Sequence, residues 1–146
     1  MSLLQSVAVV GHLLAVVILV GATITMAFVV VPAMDRQWAT AETVRSIGQR
    51  FTILSAVSGV AVLLTGTYLT SVQHTLTSLT TTPSGWAVLA SIFAWVVLAG
   101  LLTVGTDRLA RAVAVGEPRR GADRSRRWYN AAVAVAIVGV AISSII

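Results

Sequence analysis

Cysteine is absent from this 146-residue chain, and so is lysine. Without thiols there are no disulfides, thiolate metal sites, iron–sulfur clusters or covalent c-type haem attachment. Charge is scarce: 10% of residues are charged, against about 25% in soluble domains. The five carboxylates, Asp35, Glu42, Asp107, Glu117 and Asp123, lie at or beyond the ends of the apolar runs. That placement argues against a carboxylate proton relay through an apolar interior. No Ser–His–Asp set, facing carboxylate pair or phosphate-cradling glycine loop is recognisable. All ten basic residues are arginine, confined to two segments, and the net charge is +5. No aromatic-interleaved basic patch accompanies them, so the charge is not a nucleic-acid signature.

What the chain does have is apolar surface. It is 57% hydrophobic, with a mean hydropathy of +0.92. A soluble domain of this length cannot hide that much. The lipid bilayer is therefore the expected solvent, with one domain spanning 1–146 and a multi-pass place in the cell membrane. The first ten residues lack a positive n-region and the first apolar run is too long for an h-region, so no cleavable signal peptide is expected.

The pattern predicts an all-α fold, an integral membrane four-helix bundle with helices at about 4–31, 51–71, 86–106 and 128–146. Cytoplasmic loops are expected at 32–50 and 107–127. Pro32 should end the first helix, because it denies the next turn a donor. The stretch from Thr40 to Val44 reads as a short interfacial helix or as a solvated loop. Gly116 and Gly121 are expected to break the second basic segment. The alternating Ala and Val of the last run look strand-like, but a lone strand cannot satisfy its backbone in lipid. Gly59, Gly66 and the pairs Ala87/Ser91 and Ala132/Ala136 permit close helix contacts.

Arginine sets the orientation. The segments after the first and third helices hold all ten, and the positive-inside rule puts both termini outside. Trp86 then suits an outer aromatic belt, and Trp38 and Trp128 an inner one. Asp35-Arg36 matches Asp107-Arg108, and Arg50-Phe51 matches Arg127-Trp128, a faint sign of two hairpins in repeat.

Few residues are equipped for chemistry. His12 lies inside the first apolar run, about 10 Å along the helix from its outer end. An imidazole at that depth must face the bundle or a cavity. It is either a ligand for a metal or haem, or a packed residue bonded to a Thr or a carbonyl. His74, just past the second helix, is expected at the same outer level, either sharing an ion with His12 or solvated in its loop. Tyr68 is placed to hydrogen-bond a ligand or to sit at the interface. Ser91, Ser143 and Ser144 are the other outer-half polar groups. Met26 lies fourteen positions after His12, on roughly the same face, with Thr23 and Thr25 nearby. With Met34 at the inner boundary it forms either a sparse soft-ligand ladder for Cu(I) or simple core filler.

Three motifs carry a resemblance. The run from Gly11 and His12 to Pro32 is similar to the first helix of CopD-like copper-resistance membrane domains. Arg50-Phe51, followed by Thr65-Gly66, resembles their next helix, and Thr81 to Gly85 resembles their Thr-Pro-aromatic-Gly connection, with Ser84 at the aromatic position. The layout also resembles HemJ-type protoporphyrinogen oxidases, as does the Arg126 to Tyr129 entry into the last helix. Ser91 stands where both families commonly carry a third-helix lysine. The resemblance implies a four-helix membrane protein whose first-helix histidine, His12, binds haem b or copper. Beside it stand two other readings: a non-catalytic accessory subunit of a larger membrane complex, with His12 purely structural and no cofactor, and a small homo-oligomeric transporter. Catalytic residues are not expected.

Overall fold

The computed structural model describes residues 2–36 and 40–143, and every long element in it is a helix. Helix α1 covers Leu3–Thr25, a π-helical turn Met26–Val30 follows, and α2 is Val31–Asp35. Then come α3 (Ala41–Gln73), the short α4 (Leu76–Thr81), α5 (Pro83–Ala114) and α6 (Pro118–Ser143). There is no strand among the described residues. Three helical stretches are long and apolar enough to cross a membrane: Leu3–Met34, Glu42–Gln73 and Pro83–Ala114.

Pro32 does not end the first helix. The chain answers the missing N–H by widening the preceding turn, so that the Val31 N–H reaches back to the Met26 carbonyl. The wider turn relieves the clash a proline ring makes with the carbonyl four residues earlier. The helix then continues to Asp35.

The expected loop at 32–50 is largely helix as well. Thr40 caps α3, its Oγ1 accepting from the Thr43 N–H at 3.2 Å, with Glu42 in the first turn. Thr40 therefore begins a continuous 33-residue helix rather than a short interfacial one. At 1.5 Å per residue this is about 50 Å, well beyond a hydrocarbon core of about 30 Å. The helix is thus longer than a single crossing requires, with Arg45 close to its start.

The basic segment 107–127 is likewise two helix ends rather than a loop. Gly116, at φ 74°, takes the left-handed position that closes α5. The Glu117 N–H returns to the Ala112 carbonyl (2.9 Å) and the Gly116 N–H to that of Val113 (3.1 Å), a Schellman closure. Pro118 then opens α6. Gly121, expected as a breaker, lies inside α6 and is buried; a Cβ there would sit 2.5 Å from the Ala112 Cβ. It is a close-packing glycine, not a turn glycine.

The Thr-Pro-Ser-Gly connection also has a definite geometry. Thr82 caps α5 by accepting from the Gly85 N–H, and Pro83 sits where no donor is needed. A Cβ on Gly85 would overlap the Ser78 carbonyl and the Leu79 Cα of α4, so only glycine lets α4 fold down onto α5.

Helices α5 and α6 form the most extensive contact and run antiparallel, pairing Ser91 with Ser143 at one end and Ala112 with Gly121 at the other. Helix α3 returns along α1, α2 packs on α6, and α3 meets α5 more sparsely. The core is formed by Met26, Val31, Met34, Leu98, Leu102 and Tyr129 with their neighbours. Outside it, large side chains point away from the protein: Leu3 is 83% exposed, Phe93 70%, and Leu14, Val17 and Phe28 more than half. In water each would forgo about 1.5–3 kcal/mol of burial. Against lipid tails they lose nothing, so these faces contact the bilayer. Trp86 is exposed near the start of α5, and the Arg108 guanidinium lies over the Trp128 ring at 5.1 Å. Trp38 and Ser144 lie outside the described residues.

Candidate functional site: the His12–Thr65 junction

Two glycine-containing dipeptides meet where α1 crosses α3. Gly11-His12 faces Thr65-Gly66: a Cβ on Gly11 would touch the Thr65 Cγ2 at 4.0 Å, and one on Gly66 would sit 3.2 Å from His12 Cε1. Gly66 thus leaves room for the imidazole to lie close against α3.

The polar contacts fix the ring's tautomer. His12 Nδ1 is 2.9 Å from Thr65 Oγ1, and that hydroxyl donates its single proton to the Ala61 carbonyl at 2.6 Å. With that proton committed, the Thr65 oxygen can only accept from His12. Nδ1 therefore carries the hydrogen, and in the neutral ring Nε2 carries the lone pair. The Val62 carbonyl, 3.4 Å from the same hydroxyl, is a second acceptor beside the ring. A chain of the form Nδ1–H, O–H, O=C is the arrangement that orients a ligating histidine.

The other candidate residues are not gathered around it. His74 follows α3, eight residues beyond Gly66 and so about 12 Å further along the axis. It is half-buried and its N–H bonds the Thr70 carbonyl at 2.8 Å. Tyr68 is half-buried within three residues of Thr65, and its carbonyl accepts from Ser71. Met26 is fourteen residues from His12, about 21 Å along the helix. It is 2% exposed and packed in the core at the π-helical turn, and Met34 is 1% exposed in the same cluster. Thr23 Oγ1 donates to the Leu19 carbonyl and Thr25 Oγ1 to that of Gly21. Among the described residues no group of three or more His, Asp or Glu is close enough to hold a metal. One imidazole is thus what this chain offers at the junction. A single nitrogen could serve as the protein ligand of a haem, and would be only part of the donor set that Cu(I) requires.

Ser91 and Ser143 do come together. Ser143 donates to the Gly139 carbonyl at 2.8 Å, so Ser91 donates to Ser143 at 2.9 Å, tying α5 to α6. They are 52 residues apart in the sequence, and only the helix pairing joins them. Thr65 was not expected as a functional residue. The signal was there, since a Thr-Gly pair inside an apolar helix marks a polar group beside a close approach.

A second feature leaves no mark in the sequence. A cleft of about 490 Å³ separates α3 from α5, with Phe51, Gly59 and Leu63 on one wall and Trp95, Leu98 and Leu102 on the other. Beside it Tyr129, fully buried, meets Thr106 through its hydroxyl at 3.1 Å and Phe51 edge-on at 5.9 Å.

Residues 45–146 match the family model for copper resistance protein D. The match takes in Thr65 and Gly66 and starts beyond His12. No curated protein and no solved structure matches the chain. With well over half its length matched, and with three helices able to cross a bilayer, the chain belongs to the CopD copper-resistance family and is a multi-pass membrane protein.

Proposed function

We propose that this CopD-family protein uses His12 as a metal-ligating imidazole in the outer half of the membrane, with Nε2 as the donor atom. The observation that carries the reading is the hydrogen-bond chain from Nδ1 through Thr65 to the Ala61 carbonyl. In the neutral ring it leaves Nε2 with the lone pair that metals take. The family's link to copper resistance favours copper, with the remaining donors supplied by a second chain. Haem b is the alternative: it would bring its own ring nitrogens, and His12 would supply the protein ligand to its iron. Thr65 then holds the ring, Gly66 gives it space, and lipid-facing side chains keep water from the metal.

In this reading α6 crosses the membrane as a fourth span from Trp128 onward, both termini lie outside, and the arginine-rich ends face the cytoplasm. Protein purified from its own membrane should carry either copper, by elemental analysis, or a Soret band, and His12→Ala should lose it. Wild-type protein with neither would overturn the proposal.

A second reading rests on the same contacts. His12 would lock α1 to α3 within an accessory subunit, and His12→Ala would then lose thermal stability and a co-purifying partner without any change in metal content.

A further inference from the structure

We propose that the cleft between α3 and α5 holds one phospholipid from the leaflet on the arginine-rich side. Its polarity changes in order along the helix axis. The upper part is apolar, between Gly59 and Leu63 of α3 and Trp95 and Leu98 of α5. It continues toward the charged end as a second hollow of about 870 Å³ that includes Glu42, Arg45 and Gln49. Thr52 and Thr106 line both parts. From mid-membrane outward the groove thus presents hydrocarbon, then hydroxyls, then charge, the order in a phospholipid of acyl chain, glycerol ester and phosphate.

The hydroxyls point to the ester level. Tyr129 is wholly buried, and its only hydrogen-bond partner among the described residues is Thr106. A buried phenol left without an acceptor costs about 1–3 kcal/mol, so Tyr129 donates and Thr106 accepts. The Thr106 proton then has no protein acceptor among the described residues. On the opposite wall Ser55 Oγ is buried and makes no hydrogen bond. Buried hydroxyls are normally satisfied. Ester carbonyls are pure acceptors and answer both.

At the mouth, Arg45 makes no ion pair among the described residues and lies about 15 Å beyond Ser55 toward the charged end. It is the donor for the phosphate. Glu42 shares the mouth, so the site selects for a phosphate rather than for net negative charge. A helix from a second copy would face the cleft mainly with apolar side chains, whereas a phospholipid brings ester acceptors and a phosphate together, which is why the bilayer's own lipid is the occupant.

Delipidated protein in detergent would be titrated with dioleoylphosphatidylglycerol and, separately, with dioleoylglycerol, and bound lipid counted by native mass spectrometry. One phosphatidylglycerol should bind per chain. Gly59→Phe should lower its affinity about tenfold or more, because a side chain at this position enters open cleft with nothing within 4 Å of the new Cβ. Arg45→Gln should weaken phosphatidylglycerol about tenfold and leave dioleoylglycerol unchanged, as loss of a hydrogen bond to a charged group predicts. Circular-dichroism melting would confirm folded variants; should Gly59→Phe not fold, Ala99→Phe fills the cleft from α5. The proposal is overturned if wild-type protein binds no lipid, if the filled variant binds as well as wild type, or if the cleft holds a dimer that Gly59→Phe dissociates.

Discussion

Replacing Thr65 by valine keeps the side chain's shape and deletes one hydroxyl, the group between His12 Nδ1 and the Ala61 carbonyl. Two consequences follow, on different scales. The first is stability: hydrogen bonds between membrane helices average about 0.6 kcal/mol and reach about 1.7 kcal/mol. Leaving a part-buried Nδ1–H without its acceptor sits toward the upper end, so α1 should part from α3 at a cost of about 1–2 kcal/mol. The second is ligand affinity. Loss of the partner that orients a ligating histidine typically weakens metal binding about 10–100-fold, because the ring can turn over and present N–H in place of the lone pair. Thr65→Ser restores the hydroxyl and should restore both properties. The assay is a competitive copper titration, or haem titration followed at the Soret band, run beside thermal unfolding in the same detergent. If Thr65→Val binds as tightly as wild type while His12→Ala binds nothing, the hydrogen-bond chain does not set the tautomer and the reasoning fails. If Thr65→Val and His12→Ala lose only stability, His12 is a packing residue.

Other consequences are more local. Gly85→Ala should lower the melting temperature markedly, because its Cβ overlaps the α4 backbone, which cannot yield as a flexible side chain can; a melt unchanged from wild type would show that α4 is not held there. Gly121→Ala, against Ala112, should destabilise by about 1–3 kcal/mol as overpacking does, read by denaturant unfolding. Tyr129→Phe removes the bond to Thr106 but keeps the edge contact with Phe51, and should cost about 1 kcal/mol. A reporter fused after the C-terminus should be active only outside the cytoplasm; activity inside would reverse the proposed orientation.

Much of the architecture was legible before any coordinates. Helix caps are local, so Thr40 could be read as a helix start and Gly116 as a break from their neighbours alone, whereas the Thr82 cap was passed over. The errors came where two local signals competed. Pro32 was expected to end a helix, yet in a long apolar run the cheaper answer is a widened turn, since an open helix end would expose carbonyls to lipid. Arginine-rich segments read as loops, yet Arg is a good helix former, and the ends of α3, α5 and α6 simply continue beyond the apolar zone. Gly121 looked like punctuation and proved to be a contact. Only at Gly121 was the decisive fact a neighbour on another helix, Ala112 of α5.

By itself the sequence determined the solvent, the helical character and the scarcity of chemistry: one imidazole within an apolar run, no thiol, and carboxylates only at or beyond the ends of those runs. Only the tertiary structure decided that His12 meets Thr65, 53 residues away, that Ser91 pairs with Ser143, and that α3 and α5 stand apart over a cleft while α5 and α6 close. The reason is physical. In water a helix declares its buried face by its apolar stripe, but in lipid every face is apolar. Which faces meet is then settled by glycine-sized gaps and single polar pairs, and those act only once the helices are side by side.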